Sequence, residues 1–285
     1  MTSGTEHVEI TVADGLRFHV ASAGTGPPVV LLHGFTGSTE TWTELQATLS
    51  DRFRTIAVDI TGHGRSAAPT DPERYSLVRF ADDLRDILDG LAIPRAALLG
   101  YSMGGRAALR FVLRYPDRVA GLILESTSPG ISDPVERDHR IAADLALAQS
   151  VERDGVTAFM DRWEQLPLWD SLAAAPESLR HRLRAQRLTN RATGLANSLR
   201  GAGAAADPPV VDDLSTIRTL VRIIAGVLDA RYVRLGQLMA AAIPHADLNL
   251  IDGAGHMAHL ERPEQFAELA GSFLDSLDTR DGDWL

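Results

Sequence analysis

The feature that most constrains this chain is a Gly-x-Ser-x-Gly motif between an apolar run and a helical pattern. Residues 96–99 are apolar, which is typical of a buried strand, and Gly100-Tyr101-Ser102-Met103-Gly104 follows them directly. A helical pattern then covers residues 106–115. In this context the turn holds its serine in a strained conformation clear of the sheet, and the glycines are needed because strand and helix nearly collide. The motif therefore predicts that Ser102 is a nucleophile.

Short apolar runs recur along the chain and alternate with segments of helical periodicity. Such runs favour strands buried on both faces of a parallel sheet, and the alternation places helices on both faces. The turn at Ala13-Asp14-Gly15 indicates a hairpin between the first two strands. We therefore expect an α/β fold with a mostly parallel, eight-stranded sheet. The expected strands cover residues 7–12, 16–21, 29–32, 55–58, 96–99, 121–124, 220–225 and 248–251.

The alternation of strands and helices stops after Glu125. Residues 128–211 are rich in alanine and arginine and show helical patterns without a convincing strand, and the alternation resumes near Leu220. We interpret this segment as a helical lid inserted over the strand ends. The predicted organisation is a first core part at 1–127, the lid at 128–211 and a second core part at 212–285.

Composition excludes several classes of function. The absence of cysteine excludes disulfides, thiol nucleophiles and Cys-based metal sites. A formal net charge of −10 argues against nucleic-acid binding. Neither a signal peptide nor a membrane-spanning run is visible, so we expect a cytoplasmic protein without membrane contact. The chain is expected to be a monomer or a homodimer.

A serine nucleophile needs a base, and the base needs a carboxylate that orients it. In the α/β-hydrolase arrangement these groups follow one another in the order serine, acid, histidine. After Ser102, Asp229 is the first acid that follows a strand at the right place, and His256 follows the next strand. Since ligands bind at the carboxyl ends of parallel strands, we predict that these three side chains converge.

Two of these assignments have alternatives within the sequence. Asp229 is also a possible cap for the helix expected from Val233, although a cap usually stands immediately before the first helical residue. Asp252 is the rival acid, but it lies in the turn that leads to His256. His259 is the rival base, and we expect it to begin packing against the last helix.

Acyl or enolate chemistry needs backbone donors where negative charge develops. The N–H of Met103, at the helix start, and the N–H of Phe35, in the loop after the third strand, are predicted to form this oxyanion hole. His33 and His63 lie in Gly-rich turns without a carboxylate at a useful strand end. We assign both histidines to hydrogen bonds that stabilise loops.

Arginine supplies all 28 basic residues of the chain. Arg106 lies four residues after Ser102, so the two share one helix face. A neutral ester has no electrostatic need for a cation this close to the nucleophile. Since a semi-buried guanidinium needs an anionic partner, the position favours a small anionic substrate.

Motifs in both the core and the lid support a more specific resemblance, over about residues 29–273. These motifs are Leu31-Leu32-His33-Gly34-Phe35-Thr36-Gly37-Ser38, Gly100 to Arg106, Ser128-Pro129-Gly130, Arg137-x-x-Arg140-x-x-x-Asp144, Phe159-Met160-Asp161-Arg162-Trp163-Glu164-Gln165-Leu166-Pro167-Leu168, and Gly253-Ala254-Gly255-His256-x-x-His259-Leu260-Glu261. Together they resemble one branch of the α/β-hydrolase superfamily, the 2-succinyl-6-hydroxy-2,4-cyclohexadiene-1-carboxylate synthases of menaquinone biosynthesis.

This resemblance implies a lyase that eliminates pyruvate from a succinyl-enolpyruvyl cyclohexene carboxylate, without a metal or an organic cofactor. Ser102, activated by His256 and Asp229, would act as a base on a ring proton, and no acyl-enzyme would form. The oxyanion hole would hold a developing enolate. The resemblance further assigns substrate carboxylates to Arg106, Arg140 and Arg187, and the pocket lining to Tyr101, Trp163 and Ser128-Pro129-Gly130.

The chain departs from the family pattern directly after Gly203. A Gln-Pro pair and a tryptophan are expected there, whereas residues 204–211 are Ala-Ala-Ala-Asp-Pro-Pro-Val-Val. The departure bears on the identity of the substrate more than on the triad. A carboxylesterase or related serine hydrolase is the alternative function, and a binding protein on the same fold is the third.

Overall fold

The computed structural model describes the backbone of residues 4–281 and the side chains of residues 4–277. The strands in this part of the chain are β1 (Glu6–Thr11), β2 (Arg17–Ala23), β3 (Pro28–Leu32), β4 (Arg54–Val58), β5 (Ala96–Tyr101), β6 (Val119–Glu125), β7 (Val221–Gly226) and β8 (Ala246–Ile251). They form one eight-stranded sheet in the order β1-β2-β4-β3-β5-β6-β7-β8. β2 is antiparallel to both of its neighbours, and the other neighbouring pairs are parallel. The expected mostly parallel sheet is confirmed.

Helices cover both faces of this sheet because the apolar strands present buried side chains to both sides. In β3, Val30 and Leu32 belong to one apolar cluster and Val29 and Leu31 to the other. Successive side chains of a strand point to opposite faces, so each face needs its own helical cover. The helices are α1 (Thr43–Leu49), α2 (Leu77–Gly90), α3 (Met103–Arg114), α4 (Pro134–Trp163), α5 (Glu177–Leu188), α6 (Ala192–Ala202), α7 (Ala230–Ala242), α8 (Ala258–Glu261) and α9 (Pro263–Asp281).

The segment between β6 and β7 is helical and forms a lid. Residues 126–220 contain α4, α5 and α6 but no strand. Val151 and Phe159 of α4 pack with Leu195 of α6 in a small apolar cluster of their own. Gly155 interrupts α4 with φ 79°, a backbone angle that glycine adopts at little cost. Residues of α4 and α6 line a cavity beside Ser102, so the insertion covers the carboxyl ends of the strands.

The α3 helix begins at Met103 rather than at residue 106, and the start of α7 also differs from the expectation. α7 begins at Ala230 rather than at Val233, which makes Asp229 the residue immediately before the helix. The division into 1–127, 128–211 and 212–285 stays a prediction, and residues 1–3 and 282–285 lie outside the described part. Among residues 4–281, no helix is both long enough and apolar enough to cross a bilayer.

Candidate active site

Ser102 occupies a strained turn between β5 and α3. Its φ of 53° and ψ of −110° lie in a region that side-chain-bearing residues rarely adopt. The Ser102 N–H donates to the carbonyl oxygen of Glu125 at 2.9 Å, and the Thr127 hydroxyl donates to the Ser102 carbonyl oxygen at 2.7 Å. A Cβ at Gly104 would lie 2.1 Å from the carbonyl oxygen of Leu32, so this close approach requires glycine. The surrounding backbone therefore holds the strained turn in place.

The loops after β5, β7 and β8 bring Ser102, Asp229 and His256 into one hydrogen-bonded chain. His256 Nε2 lies 3.2 Å from Ser102 Oγ, and His256 Nδ1 lies 2.7 Å from Asp229 Oδ2. His256 is 2% exposed and Asp229 is 9% exposed. Because a carboxylate only accepts hydrogen bonds, Asp229 favours the tautomer with hydrogen on Nδ1, which leaves Nε2 to accept the serine proton.

Asp229 has both of the roles that the sequence left open. Its Oδ2 contacts His256, while its Oδ1 accepts a hydrogen bond from the Tyr232 N–H at 3.4 Å at the start of α7. The earlier helix start makes this cap possible. The rival acid Asp252 lies exposed beyond the end of β8.

The rival base His259 is paired with a different carboxylate, Glu125, at the end of β6. Its Nδ1 lies 2.8 Å from each Glu125 carboxylate oxygen, and its backbone N–H donates to Oε1 at 3.0 Å. The rings of Trp42, Tyr101 and Phe266 surround the imidazole. Sequence reasoning missed Glu125, although an acid at the end of a buried strand was an available signal.

The backbone N–H groups of Phe35 and Met103 are available as donors beside the serine. Neither has a hydrogen-bond partner within the described residues, and both residues line the cavity that contains Ser102. The loop of Phe35 also approaches the serine closely, since a Cβ at Gly34 would lie 3.4 Å from Ser102 Cβ. This arrangement is compatible with the predicted oxyanion hole.

Two buried histidines hold the neighbouring loops. His33 Nδ1 donates to the carbonyl oxygen of Gly34 at 2.8 Å, and its Nε2 accepts from the Ile60 N–H at 3.0 Å. Burial lowers the pKa of His33, which keeps the ring neutral as these two bonds require. His63 Nδ1 contacts the carbonyl oxygen of Thr61 at 3.2 Å, and burial lowers the pKa of His63 to about 3. Both rings make the loop contacts expected from the sequence.

A cavity of about 410 Å³ lies beside Ser102, between the sheet and the lid. Ser128 lines this cavity, whereas Pro129 and Gly130 line a smaller neighbouring pocket. The predicted substrate-binding residues that line it are Tyr101, Arg106, Arg140 and Trp163. The site therefore combines the hydroxyl of Ser102 with guanidinium groups and aromatic rings.

Arg106 lines this cavity but is also bound to the lid. Its guanidinium donates to the carbonyl oxygens of Ala202 at 2.7 Å and Gly203 at 2.9 Å. These carbonyls belong to the end of α6, where helix carbonyls lack helical partners and the dipole is negative. The sequence predicted a contact with substrate, and the structure adds a contact that joins the helix of Ser102 to the lid.

Arg187 does not line the cavity, in contrast to the direct substrate contact that we expected. It is 4% exposed, lies 3.2 Å from a Glu164 carboxylate oxygen, and stacks its guanidinium 4.7 Å from the ring centroid of Trp169. Trp169 lines the cavity, with its ring centroid 5.6 Å from that of His256. Arg187 therefore supports an aromatic wall of the cavity from behind.

The cavity holds further polar groups, some of which sequence reasoning did not single out. The indole N–H groups of Trp163 and Trp169 and the Tyr101 hydroxyl are buried, and they have no partner among the described residues. Arg231 reaches the cavity from α7 and forms a 3.6 Å ion pair with Glu136 of the lid. Unpartnered donors together with cations suit a polar, anionic ligand. Across residues 4–281, three or more potential metal-ligating side chains do not cluster anywhere.

The chain is similar in sequence and in structure to known proteins. The model of the alpha/beta hydrolase fold family matches residues 27–201. The chain is 41% identical, over 95% of its length and 99% of the relative's, to a Bacillus subtilis (strain 168) protein named "Putative 2-succinyl-6-hydroxy-2,4-cyclohexadiene-1-carboxylate synthase". It is 31% identical to the synthase of that name from Salmonella paratyphi C (strain RKS4594), over 86% of this chain and 92% of the relative. The solved structure of MenH from S. aureus superposes with a TM-score of 0.87 at 31% identity, covering 92% of this chain and 98% of that chain.

Proposed function

This chain belongs to the alpha/beta hydrolase fold family, and we propose that within it the protein acts as a lyase on a small carboxylate. The proposed substrate is 2-succinyl-5-enolpyruvyl-6-hydroxy-3-cyclohexene-1-carboxylate. The products are 2-succinyl-6-hydroxy-2,4-cyclohexadiene-1-carboxylate and pyruvate. Support comes from the relatives of this name, which match along nearly the whole chain.

The observation that carries the proposal is the shared cavity of the Ser102–His256–Asp229 chain and the guanidinium groups of Arg106 and Arg140. A hydrolase of neutral esters needs the first feature but not the second. A substrate with several carboxylates needs both, because charge-assisted hydrogen bonds from arginine hold and orient it.

The proposed reaction is a 1,4-elimination that starts with removal of the proton on ring carbon 2. This proton is acidic because the carbon is adjacent to the ketone of the succinyl group. Ser102 Oγ takes the ring proton as it passes its own to His256 Nε2, and Asp229 stabilises the imidazolium that forms. The N–H groups of Phe35 and Met103 stabilise the enolate oxygen of the ketone.

The electron pair released at carbon 2 completes the elimination. It forms the C2–C3 double bond, the former C3–C4 double bond shifts to C4–C5, and the C5–O bond to enolpyruvate breaks. The proton on His256 reaches the departing enolpyruvate, which becomes pyruvate, and Ser102 and His256 regain their starting protonation. Atoms and charge balance without an acyl-enzyme.

Each wall of the cavity has a proposed task in binding this substrate. The carboxylates lie against Arg106 and Arg140, while the faces of Tyr101 and Trp163 pack on the cyclohexene ring. Arg187 acts indirectly, by fixing Trp169 against the imidazole of His256. The lid, proposed as residues 128–211, excludes water from the enolate.

The first prediction is release of pyruvate from the succinyl-enolpyruvyl substrate by the purified protein, measured with lactate dehydrogenase and NADH. Ser102→Ala is the control, and we expect its kcat to fall by about 10³-fold or more because the base is lost. A panel of p-nitrophenyl esters measures hydrolysis in parallel. Efficient ester cleavage without pyruvate release would contradict the proposal and favour a serine hydrolase.

A further inference from the structure

Asp144 of α4 is a buried acid in the wall of the cavity that the elimination does not use. Its side chain is 5% exposed, and its Oδ1 accepts a hydrogen bond from Arg140 Nε at 2.9 Å. Its Oδ2 is also buried and accepts no hydrogen bond of good geometry among the described residues, although the backbone N–H of Ala204 interacts with the carboxyl group. Buried carboxylate oxygens normally have partners, so an unsatisfied one beside a ligand cavity is unusual.

The surroundings of Asp144 carry positive charge in a place with little water. Burial raises the pKa of the Asp144 carboxyl, although the charges of Arg140 and Arg106 and the backbone of Ala204 act in the opposite direction. A Cβ at Gly203 would lie 2.6 Å from Oδ2, so the lid backbone covers one side of this oxygen. The charged and titratable groups around this part of the cavity are Arg140, Arg106, Arg231, Tyr232 and His256, with Asp207 acting on Arg106.

Asp144 is an internal counter-ion for Arg140 in this structure. A substrate carboxylate that docks on Arg140 competes for the same guanidinium and meets the Asp144 carboxylate at short range. Two desolvated carboxylates repel each other strongly, and one of them then binds a proton. A proton on Oδ2 turns the repulsion into an O–H···O⁻ hydrogen bond and also satisfies the unpartnered oxygen.

We propose that Asp144 is a specificity-determining residue that takes up one proton from solvent when a carboxylate of the ligand docks on Arg140. The inference rests on the proposed function in one respect, namely that the ligand carries carboxylates. A protonated Asp144 donates a hydrogen bond to an anion, whereas a neutral ester group has no negative charge that would stabilise the protonated form. The proton returns to solvent when the ligand leaves.

The sign of the pH dependence follows from this linkage. Above the pKa of Asp144 in the free protein, each rise of one pH unit lowers the fraction of protein with a protonated Asp144 about tenfold. Affinity for a carboxylate therefore falls as pH rises. Asp144→Asn imitates the protonated form in size and hydrogen bonding, so it loses this part of the pH dependence.

The test is isothermal titration calorimetry with succinate, a dicarboxylate that needs no turnover. Titrations in buffers of different ionisation enthalpy give the number of protons bound with the ligand. At pH 8 we expect the wild-type protein to take up close to one proton more than Asp144→Asn, and Asp144→Asn to bind succinate at least fivefold more tightly. Asp138→Asn is the matched control, since Asp138 lies exposed on the same helix, and it should behave as the wild type.

Three results would overturn the inference. The first is equal proton uptake by the wild type and Asp144→Asn. The second is weaker binding by Asp144→Asn at every pH, with the same dependence of affinity on pH as in the wild type. The third is no binding of succinate by either protein. Proton uptake by any other group is common to both proteins and cancels in the difference.

A measurement on the wild-type protein keeps the inference testable if Asp144→Asn does not fold. With aspartate labelled at the carboxyl carbon, NMR should show one buried resonance moving to the protonated position when succinate is added. No such change would overturn the inference. A positive result without pyruvate release would retain this anion subsite and reject only the proposed substrate.

Discussion

Two of the buried histidine–carboxylate pairs in the described part of the protein lie side by side, and only one of them faces the hydroxyl of Ser102. His256 contacts Asp229 at 2.7 Å, and three residues later His259 contacts Glu125 at 2.8 Å. Both pairs are nearly or fully buried, and both acids lie at the carboxyl ends of strands of the same sheet, Glu125 as the last residue of β6 and Asp229 just after β7. Neither burial, nor the distance, nor the position in the sheet distinguishes them.

The difference lies at the other ring nitrogen. His256 Nε2 faces Ser102 Oγ at 3.2 Å and borders the cavity, whereas His259 Nε2 has no partner within the described residues and is enclosed by aromatic rings. A pair of this kind becomes a candidate base only when its distal nitrogen reaches a reacting group. The Glu125 pair instead ties β6 to the loop that carries His256.

Asp229→Asn gives the largest expected effect on the comparison. The amide favours the wrong tautomer of His256, so we expect kcat for pyruvate release to fall by about 10⁴-fold. Thermal unfolding should change little, because asparagine caps a helix as well as aspartate does. Asp252→Asn is the control for the rival acid and should keep turnover within twofold. Wild-type turnover by Asp229→Asn would remove the distinction between the two pairs.

Glu125→Gln is the reciprocal change and should act on stability. The substitution replaces one carboxylate oxygen that contacts His259 with an amide NH2 group, which cannot accept a hydrogen bond. We therefore expect the free energy of unfolding to fall by about 1–3 kcal/mol. The kcat of the folded protein should stay within tenfold of the wild type. Chemical denaturation and pyruvate release, measured on the same preparation, check this. A 10⁴-fold loss of kcat at unchanged stability would show that the two pairs act alike.

His63 differs from the histidines of both pairs, because its buried ring contacts a carbonyl oxygen and no carboxylate. Burial lowers the pKa of His63 to about 3 in the folded protein, below the ordinary histidine value of 6.5, so the unfolded chain binds more protons between these pH values. The neutral ring therefore favours folding above pH 6.5, and this contribution is lost as pH falls. At pH 5.5 we expect a loss of about 1.4 kcal/mol relative to pH 8.

Denaturation at pH 8 and pH 5.5 measures this loss, and His63→Gln should reduce the difference by the same amount. His181→Gln is the matched control, because His181 is 74% exposed on the lid and should leave the difference unchanged. An equal pH dependence in the wild type and His63→Gln would show that burial of this ring does not govern acid stability.

The fold could be predicted because its strands carry their own signal. Runs such as 29–32 are apolar on both faces, which only a sheet covered on both sides accommodates, and residues 128–211 lack such runs. The start of α7 was placed three residues too late, since its first turn lies outside the apolar periodicity. The capping carboxylate of Asp229 was the better signal for that boundary.

The site was predictable only where residues follow strand ends. Ser102, Asp229 and His256 were chosen by that rule and lie within hydrogen-bonding distance of one another, while their roles in catalysis stay a prediction. The lid was harder, because helical spacing does not fix which long side chain turns toward a cavity. Arg187 therefore stacks behind Trp169, and the unpartnered oxygen of Asp144 had no counterpart in the sequence pattern.

The hydrogen bonds from Arg106 to the lid have a consequence for the evolution of such proteins. Its two partners are main-chain oxygens of Ala202 and Gly203, and every amino acid supplies such an oxygen. The attachment itself therefore depends on no particular side chain, although close packing requires glycine at position 203, where a Cβ would lie 2.4 Å from the carbonyl oxygen of Leu199. Residues 204–211, where the sequence departs from the expected family pattern, directly follow this attachment, so substitutions there do not remove the main-chain oxygens that anchor the lid.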